Sequence, residues 1–141
     1  MIGMDHFALP GDELALDLEH RTLHRNFMGY TTLHGLAQIG LEVSAISDFG
    51  DGYWQNPKEL DDYLEQASDP KPQRGMKLDE DYRLRRQVIE GLMCHGEIRF
   101  DEFDGNWFDF QEYFKDAREA FKGFEADGLV RLDPDCIKLT D

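Results

Sequence analysis

Ile2-Gly3-Met4-Asp5-His6-Phe7-Ala8-Leu9 is an apolar, strand-like run with an acid and an imidazole inside it. Leu23-His24-Arg25-Asn26-Phe27-Met28-Gly29-Tyr30-Thr31-Thr32 likewise sets polar, chemically able side chains inside an apolar, strand-like run. Asp and His are poor strand formers and costly to bury, so a fold tends to place them in such runs when a site needs them. Gly29 between bulky neighbours suggests that backbone there approaches something closely. Both blocks read as pieces of a site wall. Residues 2–9 are expected to form a buried strand that stops at Pro10-Gly11. On such a strand Asp5 and His6 point to opposite faces, so they cannot act as a hydrogen-bonded pair.

Working outward, Asp12 can cap a short helix over Glu13 to Glu19, with acids in the first turn where the macrodipole favours them. Residues 26–32 look extended, and residues 35–47 are ambiguous between helix and strand. Asp48-Phe49-Gly50-Asp51-Gly52 is a loop and a candidate domain boundary. Asn56-Pro57-Lys58-Glu59 combines an N-cap, a first-turn proline and an acid, predicting a helix to about Gln66. Residues 67–77, with Pro70, Pro72 and Gly75, read as a linker. Leu84, Val88, Ile89, Leu92 and Met93 keep helical spacing over Asp79 to His95, and Gly96 ends the helix. Residues 98–103 read as a short strand or an irregular connection. Asp109 opens a further helix with a core stripe of Phe110, Phe114, Phe121 and Phe124. Leu129–Leu132 and Cys136–Leu139 flank Asp133-Pro134-Asp135 as a hairpin. Helices followed by a hairpin suggest a winged-helix-like end to a mostly helical α+β chain.

Composition excludes several functions. Forty per cent of the 141 residues are apolar, enough for a core. No apolar run approaches the roughly 18 residues of a membrane span. Thirty Asp and Glu against fifteen Lys and Arg give a net charge of −15; such a surface repels phosphate backbones and argues against nucleic acid as a partner. Cys94 and Cys136 form no motif. Two thiols without a signal peptide suggest a reduced, cytoplasmic setting, and cannot by themselves hold an iron–sulfur cluster. The chain opens almost inside a strand, which suggests a piece of a longer protein.

Among candidate groups, His20 and His24 share helical i,i+4 spacing but lack a third ligand, so terminal surface histidines are the simpler reading. Arg83, Arg85 and Arg86 form the sole basic cluster. They could hold a carboxylate-rich ligand, but pairing with Asp79, Glu80, Asp81 and Glu90 at helical spacing is favoured.

The ordered series of motifs goes further. The two opening blocks are followed by Val43-Ser44-Ala45-Ile46-Ser47, Tyr53-Trp54-Gln55-Asn56 and Lys58-Glu59-Leu60. Arg74-Gly75, Arg85-Arg86-Gln87-Val88-Ile89, Leu92-Met93-Cys94 and Asp127-Gly128-Leu129-Val130 continue it. Over nearly its whole length the chain resembles the oxygen-independent coproporphyrinogen III oxidases.

That resemblance implies a radical S-adenosylmethionine enzyme that oxidatively decarboxylates two propionates of its tetrapyrrole substrate to vinyl groups. The parent would carry S-adenosylmethionine and a 4Fe-4S cluster. The cluster cysteines of the family's C-x3-C-x2-C motif are absent here, so no catalytic or metal-ligating residue is expected in this chain. Residues 1–50 would be the last elements of an α/β barrel, and residues 51–141 a helical, winged-helix-like C-terminal domain with its terminal hairpin. The missing N-terminal barrel would be the partner in cis, in a cytoplasmic monomer. Ile46 matches a position that contacts a second S-adenosylmethionine, and Met28 stands where some members have a glutamine reaching it. Methionine lacks an amide's hydrogen bonds. His6 and Tyr30 are candidates for the substrate cavity. Glu42 departs from the family, which often has Gly in a Gly-x-Gly-Val-Ser run. Two other readings of the same chain are a haem chaperone of this superfamily and a non-catalytic winged-helix interaction module.

Overall fold

Local signals decide the helices. In a computed structural model describing residues 1–4, 6–103 and 108–140, Asp12 accepts the Leu14 N–H and starts α1 (Glu13–His20). Asp79 Oδ1 accepts the Tyr82 N–H, and α3 (Glu80–His95) runs to Gly96 at φ +64°. Between them lie β1 (His24–Asn26), β2 (Gly29–Thr31), β3 (Ile46–Asp48), β4 (Gly52–Gln55), α2 (Leu60–Glu65) and β5 (Arg74–Lys77). After α3 come β6 (Glu97–Arg99), a 3-10 turn over Phe100–Phe103, α4 (Phe110–Tyr113), α5 (Lys115–Ala126), β7 (Val130–Leu132) and β8 (Cys136–Leu139). All strand pairings among the described residues are antiparallel: β1–β2, β3–β4–β5 and β6–β8–β7.

The chain divides into two compact units. Unit one joins residues 1–23 to residues 88–141, and unit two is residues 24–87. In unit one the core is aromatic. Phe110 lies 4.9 Å from Phe100, 4.8 Å from Phe103 and 4.8 Å from Phe114, ring centre to ring centre. Leu23, Cys94, Ile98, Val130 and Ile137 are buried as well. Arg118 caps the Phe100 ring at 5.3 Å. In unit two Leu78, Leu84, Ser47 and Asp48 are buried.

Several expectations are corrected. The described residues 2–4 and 6–9 form no strand: Gly3 and His6 make only an isolated bridge, and Phe7 and Leu9 are exposed. A buried parallel strand needs a ladder on each side, and no described segment offers residues 2–9 one, so no barrel stands in these residues. Asp5 lies outside the described residues. Asn56 does not cap α2, whose N-cap is Glu59. The stretch read as a linker contains β5, exposed at each of its four residues and free of β-branched residues, which explains why alternation missed it. The helix after Asp109 breaks at Phe114 (φ −101°, ψ 20°) into α4 and α5. Phe124 is half exposed rather than core. The hairpin at 130–139 forms as read, with β6 added to it. Residues 49–51 turn β3 into β4 within unit two.

Candidate functional site

Unit two contains a loop whose shape is forced from all sides. Gln38 and Asp48 exchange backbone hydrogen bonds, both 2.8 Å. Gly40 donates to Ser47 Oγ at 3.0 Å. A Cβ at Gly40 would stand 2.8–2.9 Å from the Ile46 backbone, so only glycine fits. Asn56 Nδ2 donates to the carbonyls of both Gly40 and Glu42 at 2.9 Å. The Glu42 N–H donates to Tyr63 Oη at 3.0 Å, and the Ser44 N–H to the Pro57 carbonyl at 2.7 Å. Held this way, Glu42 and Ser44 adopt φ +81° and +59°, a region that disfavours side chains larger than glycine's hydrogen. Asn before Pro looked like a helix cap, yet its amide serves the loop. An asparagine with two donors can satisfy two carbonyls that lie apart in sequence.

Behind this loop lies a cavity of about 260 Å³, lined by Ile39, Leu41, Phe49, Trp54, Tyr63 and Pro70 among others. Phe49 and Trp54 meet at 6.2 Å. Trp54 Nε1 and Gln66 Oε1, in the same wall, are buried without a hydrogen-bond partner among the described residues. The Ser47 hydroxyl accepts from Gly40. The wall therefore offers mainly apolar contact, with the Trp54 N–H and the Gln66 carbonyl as its unpaired polar groups.

On the other side of β3, Arg86 grips Asp48 with two bonds, Nη2 to Oδ2 at 2.7 Å and Nη1 to Oδ1 at 3.3 Å. The Gly50 N–H adds a third to Asp48 Oδ1 at 2.8 Å. Arg86 also lies 5.6 Å over the Tyr53 ring, and Tyr53 meets Phe27 edge-on at 5.3 Å. Arg85 pairs with Asp81 at 2.8 Å. Two of the three clustered arginines are thus engaged by carboxylates of the chain, one by the expected i,i+4 partner and one by Asp48. The histidine spacing resolves differently: His24 lies in β1 and stacks on His34 at 4.0 Å, while His20 ends α1.

The sequence-derived candidates fall as follows. Met28 sits in the β1–β2 turn, 84% exposed, its N–H donating to Asn26 Oδ1. Tyr30, in the same hairpin, faces the Arg25 guanidinium at 5.1 Å. Ile46 lies in β3 opposite Gln55. Met28, Tyr30 and Ile46 belong to unit two, and His6 to unit one. Ile46 and Met28 offer apolar surface and a thioether, so with their side chains they can pack against a cofactor but not hold it by strong hydrogen bonds. For a cluster the fit fails: Cys94 is buried within α3 and Cys136 stands in β8. No group of three His, Cys, Asp or Glu able to hold a metal occurs among the described residues. The Cys136 thiol is pushed above the ordinary thiol range by burial, then by its contact with Asp133 and that carboxylate's charge.

No family model matches the chain. Individual relatives do. Oxygen-independent coproporphyrinogen III oxidase of Pseudomonas aeruginosa is 45% identical over 142 aligned positions, covering 99% of this chain. The enzymes so named in Salmonella typhimurium and Escherichia coli are 42% and 41% identical over the same share. A solved coproporphyrinogen III oxidase from Escherichia coli, described as a radical SAM enzyme, superposes with a TM-score of 0.92 over 99% of this chain.

The chain is similar to the C-terminal part of an oxygen-independent coproporphyrinogen III oxidase. It spans about a third of such proteins, 31% of the curated relatives and 33% of the solved chain. Among the described residues no helix is long and apolar enough to cross a membrane.

Proposed function

We propose that this chain is the C-terminal part of a cytoplasmic radical S-adenosylmethionine coproporphyrinogen dehydrogenase. That enzyme would convert two propionates of coproporphyrinogen III to vinyl groups. The observation that carries this reading is 45% identity to a named oxidase over 99% of the chain. The bound cluster and S-adenosylmethionine would supply the radical that starts the oxidation, from the part of the parent outside these residues. Here, Ile46 and Met28 would flank a second S-adenosylmethionine by packing, and His6 and Tyr30 would line the substrate cavity. Residues 1–50 would close the edge of the barrel, with residues 51–141 as a winged-helix-like C-terminal domain. That division describes ancestry, whereas the units of residues 1–23 with 88–141 and residues 24–87 describe packing. The parent would act as a monomer.

The test is anaerobic reconstitution of the full-length protein with iron and sulfide, followed by assay on coproporphyrinogen III with S-adenosylmethionine and a reductant. Cluster absorbance and release of two carbon dioxide molecules per protoporphyrinogen IX are expected. Full-length protein that binds haem stoichiometrically but leaves the porphyrinogen unchanged would instead assign it to the haem chaperones.

A further inference from the structure

Strand alternation sorts the residues of β3 and β4 onto two faces. Ser47 and its register partner Trp54 line the cavity. Ile46 and Asp48 belong to the other face, and Tyr53, the register partner of Asp48, shares it. Arg86 of α3 sits on that second face. Its guanidinium holds the buried Asp48 carboxylate with bonds of 2.7 and 3.3 Å and lies 5.6 Å over the Tyr53 ring. Tyr53 also receives Phe27 edge-on at 5.3 Å. Phe27 and Met28 are the two turn residues of the β1–β2 hairpin, where Asn26 pairs with Gly29 and Asn26 Oδ1 accepts the Met28 N–H. One guanidinium thus supports both the strand that carries Ile46 and the turn that carries Met28, and all of these residues lie in unit two.

Such a brace has a consequence for binding. Met28 and Ile46 have only packing to offer, and dispersion contacts fall steeply with distance: a gap of about 0.5–1 Å forfeits roughly a quarter to a half of each. A wall that binds by packing alone therefore depends on the shell that fixes its spacing. Arginine suits that task, because its planar fork takes a carboxylate with two bonds while its flat face stacks on a ring. We propose that Arg86 is a positioning residue for the second S-adenosylmethionine site, setting Ile46 through Asp48 and Met28 through Tyr53 and Phe27. The proposal rests on the reading that Ile46 and Met28 flank that cofactor, and it adds a residue that touches neither the cofactor nor the substrate.

The experiment titrates S-adenosylmethionine by calorimetry into the full-length, anaerobically reconstituted protein. Wild type is compared with Arg86→Gln, Arg86→Lys and Arg83→Gln, the last removing the same charge from an exposed position of α3. Wild type is expected to bind two molecules per chain. Arg86→Gln should weaken one site by about tenfold and leave the other unchanged. Arg86→Lys should behave alike, because an ammonium has neither the fork nor the stacking face, and Arg83→Gln should leave both sites intact. Two undiminished sites in Arg86→Gln, equal weakening of both, or full rescue by lysine would overturn the proposal. Hydrogen exchange read by mass spectrometry on the same samples reports the brace without reference to the cofactor. Arg86→Gln should speed exchange in residues 24–31 and 46–55 and leave residues 130–139 unchanged; no change, or a uniform rise along the chain, contradicts the brace. A wild type that binds a single molecule sinks the second-cofactor reading itself. Localised exchange in Arg86→Gln would then still identify the guanidinium as the support of both elements, and its absence would remove that as well.

Discussion

At the scale of single residues, Glu42 holds a backbone angle of φ +81° in a run where the resembled family often has glycine. A non-glycine residue in the left-handed region costs roughly 1–2 kcal/mol, while glycine loosens the unfolded chain by roughly 0.5–1 kcal/mol. Glu42→Gly should therefore stabilise the chain by about 0.5 kcal/mol, a balance of these two effects, seen as a higher urea midpoint at constant m. Asn56→Ala should act the other way: it leaves the Gly40 and Glu42 carbonyls without their donor and should cost about 1–3 kcal/mol in the same titration. Cys136 yields a pH prediction. Because its thiol titrates above the ordinary range, the thiolate is scarce near neutrality, and iodoacetamide should modify Cys136 more slowly than a model thiol at pH 7.5. The rates should converge only as pH rises past the raised value; fast labelling at neutral pH would contradict this. Asp133 shifts in the opposite sense, held low first by its hydrogen bond from Arg131. Its contribution to stability is present above the unfolded carboxylate range and fades as pH falls through the lowered value.

At the scale of elements, capping was the most legible signal. Asp12 and Asp109 cap as read, because the interaction is local and needs no tertiary partner. Asn56 failed as a cap because a tertiary use of its amide won, and β5 was invisible because its residues carry no strand propensity. The break between α4 and α5 was hidden too, since the Phe110, Phe114, Phe121 and Phe124 spacing continues through it. Phe110 and Phe114 belong to a packed ring cluster, while Phe124 does not. Phe110→Ala should cost about 3–5 kcal/mol from lost burial and the cavity it leaves, whereas Phe124→Ala, at a half-exposed site, should cost about 1 kcal/mol. Thermal unfolding of the two variants compares them directly. Asp48→Ala removes the acceptor of three hydrogen bonds and should cost about 2–3 kcal/mol, with Asp48→Asn recovering part of it.

At the scale of the whole molecule, the isolated 141-residue chain should take up no iron–sulfur cluster on anaerobic reconstitution, measured as iron and acid-labile sulfide per chain, because two cysteines cannot supply three thiolate ligands. What the sequence determined by itself was local or historical. The capped helices and the hairpin at 130–139 follow from short-range chemistry, and the kinship follows from ordered motifs that survive as identity over the chain. What only the tertiary structure decided depends on contacts distant in sequence. The opening run at residues 2–9 carries strand-like residues, but a strand exists only where another segment completes its hydrogen bonds, and here none of the described ones does. The second block, around Met28 and Gly29, did become a hairpin, because its partner is itself. The loop at 38–45 takes its shape from Ser47, Asn56 and Tyr63, whose roles no spacing announces, since an amide or phenol reveals its acceptor only once the chain has folded around it.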